Sequence, residues 1–354
     1  MMQRPTFTTD PAPDATNHEQ ESLVRGSVRQ LEPAALAATR AAALACQHWV
    51  GRGSGPAADE AATEAMRAAL ASAPGTGTVV VGEGAKDEAP MLFDGEEVGD
   101  GGGADFDIAV DPLECTTLCA RGLPEALTTI AFAEAGTLAR LGASFYMDKL
   151  VGPPGTHDAL QIDDPPAANI ERMAKALGKP VEEVSVVVLD KPRHAELIEE
   201  IHRIGARVAS PPDGDVATAL AVLLPDGGAD LLIGVGGTPE GVMTACAVRA
   251  MGGCMQVRLT PRSEDEEQAL AQAGLSSERV YDASDLVTGE GFFVATGVTG
   301  GSLLRRPWQA QGQTYTESMI VAGGSVRRVV EAQPAASAGS RDDDPAAGQG
   351  SDQT

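Results

Sequence analysis

Apolar and polar residues along this chain fall into runs that predict helices and strands in turn. Residues 33–50 are Ala-rich, with Pro33 at a first-turn position and Trp49 near the end, which predicts a helix. A second helix is expected from Ala58 to Ala73. TVVVGEG at 78–84 is a short apolar run closed by glycines, the pattern of a buried strand. DFDIAVDP at 105–112 predicts another strand, stopped by Pro112, and 126–134 and 144–151 predict two more. From residue 166 the alternation is regular. Helices are expected at 166–178, 193–204, 215–224 and 239–251, and strands at 184–190, 207–210, 229–237 and 254–260. Segments 290–298 and 314–331 read as late strands.

Strands this uniformly apolar belong to sheets covered on both faces, so the fold class is α/β, in layers. The ends differ. Residues 1–21 are polar and expected to form a disordered extension. Residues 333–354 carry no large apolar side chain and are expected to form a disordered acidic tail, because too little surface can be buried to offset ordering entropy. The length of 354 residues suggests two lobes between them, 22–165 and 166–332. There is no internal repeat.

Composition narrows the function. Hydrophobic residues make up 43% and charged residues 22%, as in a globular protein with a sizeable core. Aromatics are only 3%, so that core must be mostly Ala, Val, Leu and Ile. The formal net charge of −25 argues against nucleic acid and anionic membranes as partners. No apolar run approaches the roughly 18 residues of a membrane helix, and the first twenty residues show no signal-peptide pattern. The five cysteines form no CxxC pair, which points to reduced thiols in a cytoplasmic protein. The five histidines show no zinc spacing, so a metal would have to be a hard cation held by carboxylates.

Carboxylates do cluster at strand ends and helix starts, where α/β folds place ligands. Glu83 lies in VGEGAKDEAP with Asp87 and Glu88 after it. Asp107 and Asp111 share a strand, and Glu114 follows in DPLECTT. Asp59 heads ADEAATEAM, and Glu240 opens a helix after GVGGTPEG. Converging from several segments, such acids can hold hard divalent cations. Each also has a plainer explanation: Asp59 as a helix cap, Glu240 as compensation of the helix dipole. Anion-binding features lie beside them. Cys115-Thr116-Thr117 precedes a short helix whose first N–H groups could face a phosphate. KPRH sets Lys191 and Arg193 at a strand end, with Pro192 fixing the turn. In PPDGDV, Asp213 and Asp215 either bind sugar hydroxyls or cap the next helix.

The strings WVGRG, AADEAATEAMR, VVVGEGAKDEAPML, GEEVG, DIAVDPLE-TT, FYMDK, KPRH, DGDVA and GVGGTPEGV run in order from Trp49 to Val242, within a likeness that spans residues 30–331. Together they resemble the class II fructose-1,6-bisphosphatases, of the metal-dependent, lithium-sensitive sugar phosphatase superfamily. The resemblance implies an α/β/α/β/α sandwich, with a metal-binding lobe at 22–165 and a sugar-phosphate-binding lobe at 166–332. It implies Mn2+ or Mg2+ on Asp59, Glu83, Asp111, Glu114 and Glu240. Thr116 matches the threonine that orients or activates the attacking water, Glu83 counts with the catalytic set, and Asp87 is a candidate base. Glu114, Cys115 and Thr116 match the segment at the scissile phosphate. Tyr146, Lys191, Pro192, Arg193, Asp213, Gly214, Asp215 and Gly237 match positions that bind the sugar and its distal phosphate. The implied reaction is attack of metal-activated water on the 1-phosphate of fructose 1,6-bisphosphate, in gluconeogenesis, by a homodimer or homotetramer. Sedoheptulose 1,7-bisphosphate is an alternative substrate.

Departures from the family pattern sit near the chemistry. Ser54, Gly55 and Pro56 stand where Asp-Lys-Asn is usual, so a lysine is missing at Gly55; Lys149 and Arg121 are the first candidates to replace its charge. Ala85 replaces an acid, and Cys115 replaces a glycine, where a Cβ crowds a tight turn. A degenerate paralogue that binds sugar phosphates with little turnover is therefore the competing reading. Cys115 reads first as a small residue tolerated by drift; its place at a helix N-terminus also admits a redox reading, since such thiols ionise and oxidise more easily.

Overall fold

The computed structural model describes residues 27–84 and 91–334. Asp87 and Ala85, the 1–21 extension and all but the first two residues of the 333–354 tail lie outside them.

The Ala-rich segment forms helix α1 (Glu32–Ala45), and α2 covers Gly55–Leu70. Strand β1 (Gly77–Val81) runs parallel to β3 (Phe106–Glu114), with the short β2 (Glu97–Val98) at the edge. β3 pairs antiparallel with β4 (Leu127–Glu134), and the short helix between them is α3 (Thr116–Arg121). β4 then pairs with β11 (Gly291–Gly297). The expected strand 314–331 is a hairpin of β13 (Gln313–Ala322) and β14 (Ser325–Pro334). It turns at Gly323-Gly324, both at positive φ as a tight hairpin turn requires. Gln333 and Pro334, expected in the tail, complete β14. With β12 (Trp308–Ala310) these strands form an eight-stranded sheet.

A six-stranded sheet holds β5 (Tyr146–Gly152), β6 (Ser185–Val187), β7 (Arg207–Ala209), β8 (Leu231–Gly237), β9 (Cys254–Leu259) and β10 (Tyr281–Asp282). Helices α4 (Pro166–Leu177), α5 (Ala195–Ile204), α6 (Asp215–Leu223) and α7 (Thr238–Met251) connect them. The chain changes sheet twice, before β5 and again before β11, so residues 291–334 return to the first sheet.

Strand alternation assigns each side chain to a layer. Ile108 and Val110 pack with α1 and α2 on one face of the eight-stranded sheet. Ala109 faces the other way, into a core shared with α6, α7 and Met147 and Val151 of β5. Leu150, between those two, packs against Ile170 and Met173 of α4 and Ile201 of α5. The order is helices, sheet, helices, sheet, helices: an α/β/α/β/α sandwich. The few aromatics are concentrated, with Phe106, Phe132 and Phe292 stacked at 5.2 and 5.3 Å. Among the described residues, no helix is long and apolar enough to cross a membrane.

Candidate active site

The middle helices and the ends of β1, β3 and β8 meet at one place. In a regular strand, Asp111 and Glu114 would point to opposite faces. Here β3 continues past Pro112, which was expected to end it. The ladder pairs Asp111 with Thr129 and Glu114 with Leu127, so β3 carries one residue more than β4 across that interval. Such a bulge tolerates the missing N–H of Pro112 and returns Glu114 to the side of Asp111. Leu113 N–H fixes the turn by donating to Asp111 Oδ1 at 3.0 Å. Glu240, in the first turn of α7, joins them: ligand atoms of Asp111, Glu114 and Glu240 all lie within 4.8 Å of one another. Gly236 and Gly237 permit this approach, since a Cβ on either would run into the carboxylate of Asp215 or Glu240.

Glu83, just beyond β1, senses both Asp59 and Glu240, though neither Glu83 nor Asp59 belongs to the 4.8 Å group. α2 starts at Gly55, so Asp59 is in its second turn and is not a cap. Burial, then Asp59 and Glu240, push the Glu83 carboxyl up to about 8. Burial raises Glu114 to about 7, and burial and Glu114 hold Asp111 well above the usual carboxylate range. Burial likewise raises Asp59 and Glu240. Mutual repulsion of this kind is what a multivalent cation relieves. Glu240 Oε2 is buried with no hydrogen-bond donor among the described residues.

Glu114 also ties the sheets together, because Oε1 accepts the N–H of Val216 in the first turn of α6 at 3.1 Å. Neither Asp213 nor Asp215 caps α6, whose N-cap is Gly214 with no side-chain hydrogen bond. Asp215 Oδ2 accepts the Gly237 N–H at 2.9 Å and lies 3.2 Å from Lys149 Nζ, while Asp213 Oδ1 lies 3.4 Å from Lys191 Nζ. Of the two replacement cations, Lys149 is buried at this centre; Arg121 is exposed at the end of α3 and lines no part of the cavity described next.

Beside the carboxylates opens a cavity of about 670 Å³, lined by Glu83, Tyr146, Lys191, Arg193, Asp213, Asp215, Gly237 and Glu240 among others. Pro192 lies between Lys191 and Arg193 in a single 3₁₀ turn, and Gly214 caps α6 at φ 109°. Buried His194 sets this turn: Nδ1 meets Leu189 O at 2.8 Å and Nε2 accepts the Val235 N–H at 2.9 Å. Arg193 Nε and Nη2 both donate to Val235 O, at 3.0 and 2.7 Å. His194 and Arg262, whose guanidinium lies 3.5 Å from the Tyr146 ring centre, are absent from the expected set. The histidine was visible in KPRH, whereas nothing local marked Arg262.

Thr116 and Cys115 follow Glu114 directly and do not line this cavity. Thr116 O–H donates to Leu113 O at 3.0 Å, so its oxygen is left to accept. Cys115 adopts the left-handed conformation at φ 67°, where glycine is favoured. Its thiol packs 3.5 Å from the Cβ position of Gly214. Against the redox reading, burial and then Glu114 and Asp213 raise the thiol pKa, so Cys115 is held as a neutral thiol.

The family model described as bacterial fructose-1,6-bisphosphatase, glpX-encoded, matches residues 29–333. The chain is 41% identical over 301 residues to the class 2 fructose-1,6-bisphosphatase of Haemophilus influenzae, covering 81% of this chain and 90% of that protein. It is 40% identical over 307 residues to fructose-1,6-bisphosphatase 1 class 2 of Escherichia coli K12, covering 82% and 91%. The same identity relates it to the class 2 enzyme of Escherichia coli O6:H1.

Proposed function

The chain belongs to the bacterial, glpX-encoded fructose-1,6-bisphosphatase family, and on that premise we propose that this centre hydrolyses fructose 1,6-bisphosphate to fructose 6-phosphate and phosphate, a step of gluconeogenesis. The observation that carries the reading is the meeting of Asp111, Glu114 and Glu240 within 4.8 Å, against a cavity whose wall bears Lys191 and Arg193. The all-oxygen donor set, its raised carboxyl groups and the unpartnered Glu240 Oε2 fit a hard divalent cation. Asp59, Glu83, Asp111, Glu114 and Glu240 would hold Mn2+ or Mg2+. When bound, such ions neutralise phosphoryl oxygens and acidify water.

The chain's own groups do the rest. Thr116 Oγ1, its proton committed to Leu113, accepts a hydrogen from the attacking water and orients it toward the 1-phosphate. The new P–O bond forms opposite the C1 oxygen, which leaves and takes up a proton. Asp87 remains a candidate base outside the described residues. The segment Glu114-Cys115-Thr116 faces the scissile phosphate. Lys191 and Arg193 hold the distal phosphate beside Tyr146, in the turn that Pro192 fixes. Asp213 and Asp215 accept sugar hydroxyls at the Gly214 and Gly237 turns. In this reading residues 22–165 are the metal-binding lobe and 166–332 the sugar-phosphate-binding lobe, with β5 and β11–β14 crossing between the sheets. The layered sandwich and the acidic centre support placement among lithium-sensitive sugar phosphatases. The five unpaired cysteines support a cytoplasmic setting, and family likeness supports a homo-oligomer.

Cys115 at positive φ favours one competing reading, a sugar-phosphate binder with little turnover. Phosphate release from fructose 1,6-bisphosphate and from sedoheptulose 1,7-bisphosphate, each with Mn2+ and with Mg2+, separates these possibilities. Release above a Glu83→Ala control is expected with the fructose substrate; release no greater than that control, with either metal, would overturn the enzymatic reading.

A further inference from the structure

Resting on the bisphosphatase reading above, we propose that Arg262 is a specificity-determining residue that grips the phosphate the enzyme leaves in place.

Arg262 follows β9 and directly precedes helix α8 (Glu264–Gln272), whose first turn is Glu264, Asp265, Glu266 and Glu267. An arginine with only a structural task would pair with one of these neighbours. Its backbone N–H does, donating to Glu266 Oε2 at 2.8 Å. The guanidinium does not. It lies 3.5 Å from the centre of the Tyr146 ring, and among the described residues no carboxylate or carbonyl accepts from it. A guanidinium over an aromatic ring keeps its charge and its forked donors free, because the ring offers only its face.

Tyr146 belongs to the cavity wall, and Arg193 lies over the same ring at 5.8 Å. Two cations therefore converge on one tyrosine of the cavity wall that also bears Lys191, with Arg262 reaching that ring from the exposed surface. Their capacities differ. Arg193 spends Nε and Nη2 on the Val235 carbonyl, and Lys191 faces Asp213. Arg262 is the one of the three whose side-chain donors are uncommitted. A dianionic phosphate next to Tyr146 would find its two-point partner there. In a chain of net charge −25, such concentrated positive charge also draws a phosphorylated substrate toward Tyr146.

The test compares Arg262→Ala and Arg262→Lys on fructose 1,6-bisphosphate and on fructose 1-phosphate, which lacks the distal group. A charged hydrogen-bonded contact predicts a KM for the bisphosphate raised roughly ten- to a hundredfold in Arg262→Ala. kcat, and the kinetics on fructose 1-phosphate, should stay within about twofold, and Arg262→Lys should recover part of the loss. Equal losses on both substrates would mean that Arg262 merely props Tyr146, and an unchanged KM would mean no contact; either overturns the proposal. Calorimetric binding of fructose 6-phosphate reads the same contact without turnover. If the unmutated protein hydrolyses nothing, the bisphosphatase reading fails. Arg262 is then still judged by whether Arg262→Ala weakens fructose 6-phosphate at least tenfold or leaves it unchanged.

Discussion

Lys149 Nζ lies 3.2 Å from Asp215 Oδ2, and the lysine is 3% exposed. Its ammonium has no hydrogen-bond acceptor of standard geometry among the described residues, and it also lowers the carboxyl of Glu240, which burial otherwise raises. It is thus a buried cation that partly offsets a group of carboxylates. Removing one member of such a pair strands the other. Lys149→Met is expected to cost about 3 kcal/mol in the metal-free protein, and Lys149→Met with Asp215→Asn to recover most of it. Urea unfolding in EDTA of the parent, Lys149→Met, Asp215→Asn and the double variant gives the coupling. Additive losses would show that the two charges do not sense each other.

Glu114 has two jobs, and they can be separated. Its carboxylate belongs to the acidic cluster, while Oε1 accepts the Val216 N–H at 3.1 Å. Glu114→Gln keeps an acceptor for that N–H but loses the charge; Glu114→Ala loses both. Both variants should lose about a thousandfold or more in kcat. Only Glu114→Ala should lose a further 1 kcal/mol or so of stability in EDTA. Equal unfolding midpoints would remove the second role.

The acidic centre also sets how stability responds to pH. Without a cation, Glu83 titrates near 8 and Glu114 near 7, against ordinary values of 4.5. A carboxyl raised on folding contributes stability that is complete below pH 4.5 and is lost as pH climbs through its folded value. A bound divalent cation displaces those protons. Stabilisation by a fixed excess of Mn2+ or Mg2+ should therefore grow by about 1.4 kcal/mol per pH unit for each proton displaced. The growth should level off near pH 8. Melting curves with metal and with EDTA from pH 5.5 to 9 read this out; a metal increment that does not change with pH contradicts it.

Much of this was legible in the sequence. Glu83 and Glu240 announced themselves as acids beside glycines at strand ends, and the apolar strands fixed the layering. What escaped depends on pairs. The bulge that aligns Asp111 with Glu114 belongs to the register between β3 and β4, so Pro112 looked like a stop. Helix α8 buries only Leu270, leaving no apolar stripe to count, though its Ser263 cap accepting from Glu266 N–H was a signal passed over. The contact of Arg262 with Tyr146 joins residues remote in sequence, and no local rule predicts it.

Cys115 tests strain directly. Alanine and glycine both remove the thiol, and they differ only in a Cβ at φ 67°. Cys115→Gly should be more stable than Cys115→Ala by about 1 kcal/mol and should match or exceed the parent in kcat. The parent's rate should be insensitive to peroxide, since the buried thiol is held neutral. If Cys115→Ala is the more stable of the two, the left-handed turn is not the strained element.

Gly55 lies opposite Thr116. A Cβ there would sit 3.0 Å from Thr116 Cγ2, closer than comfortable contact, so either that methyl or the start of α2 must yield by a few tenths of an ångström. Restoring a lysine at this position therefore adds a charge but presses on the methyl of Thr116, the residue proposed to orient water, and a simple gain in rate is not expected. The smaller change separates the two effects. Gly55→Ala favours the helix, worth up to about 1 kcal/mol, while displacing Thr116. The expected signature is a melting temperature equal to or above the parent's together with a kcat about ten times lower and a little-changed KM for metal-saturated enzyme. A Gly55→Ala protein as active as the parent would show that Thr116 tolerates the shift, and that its position is not what limits the attack.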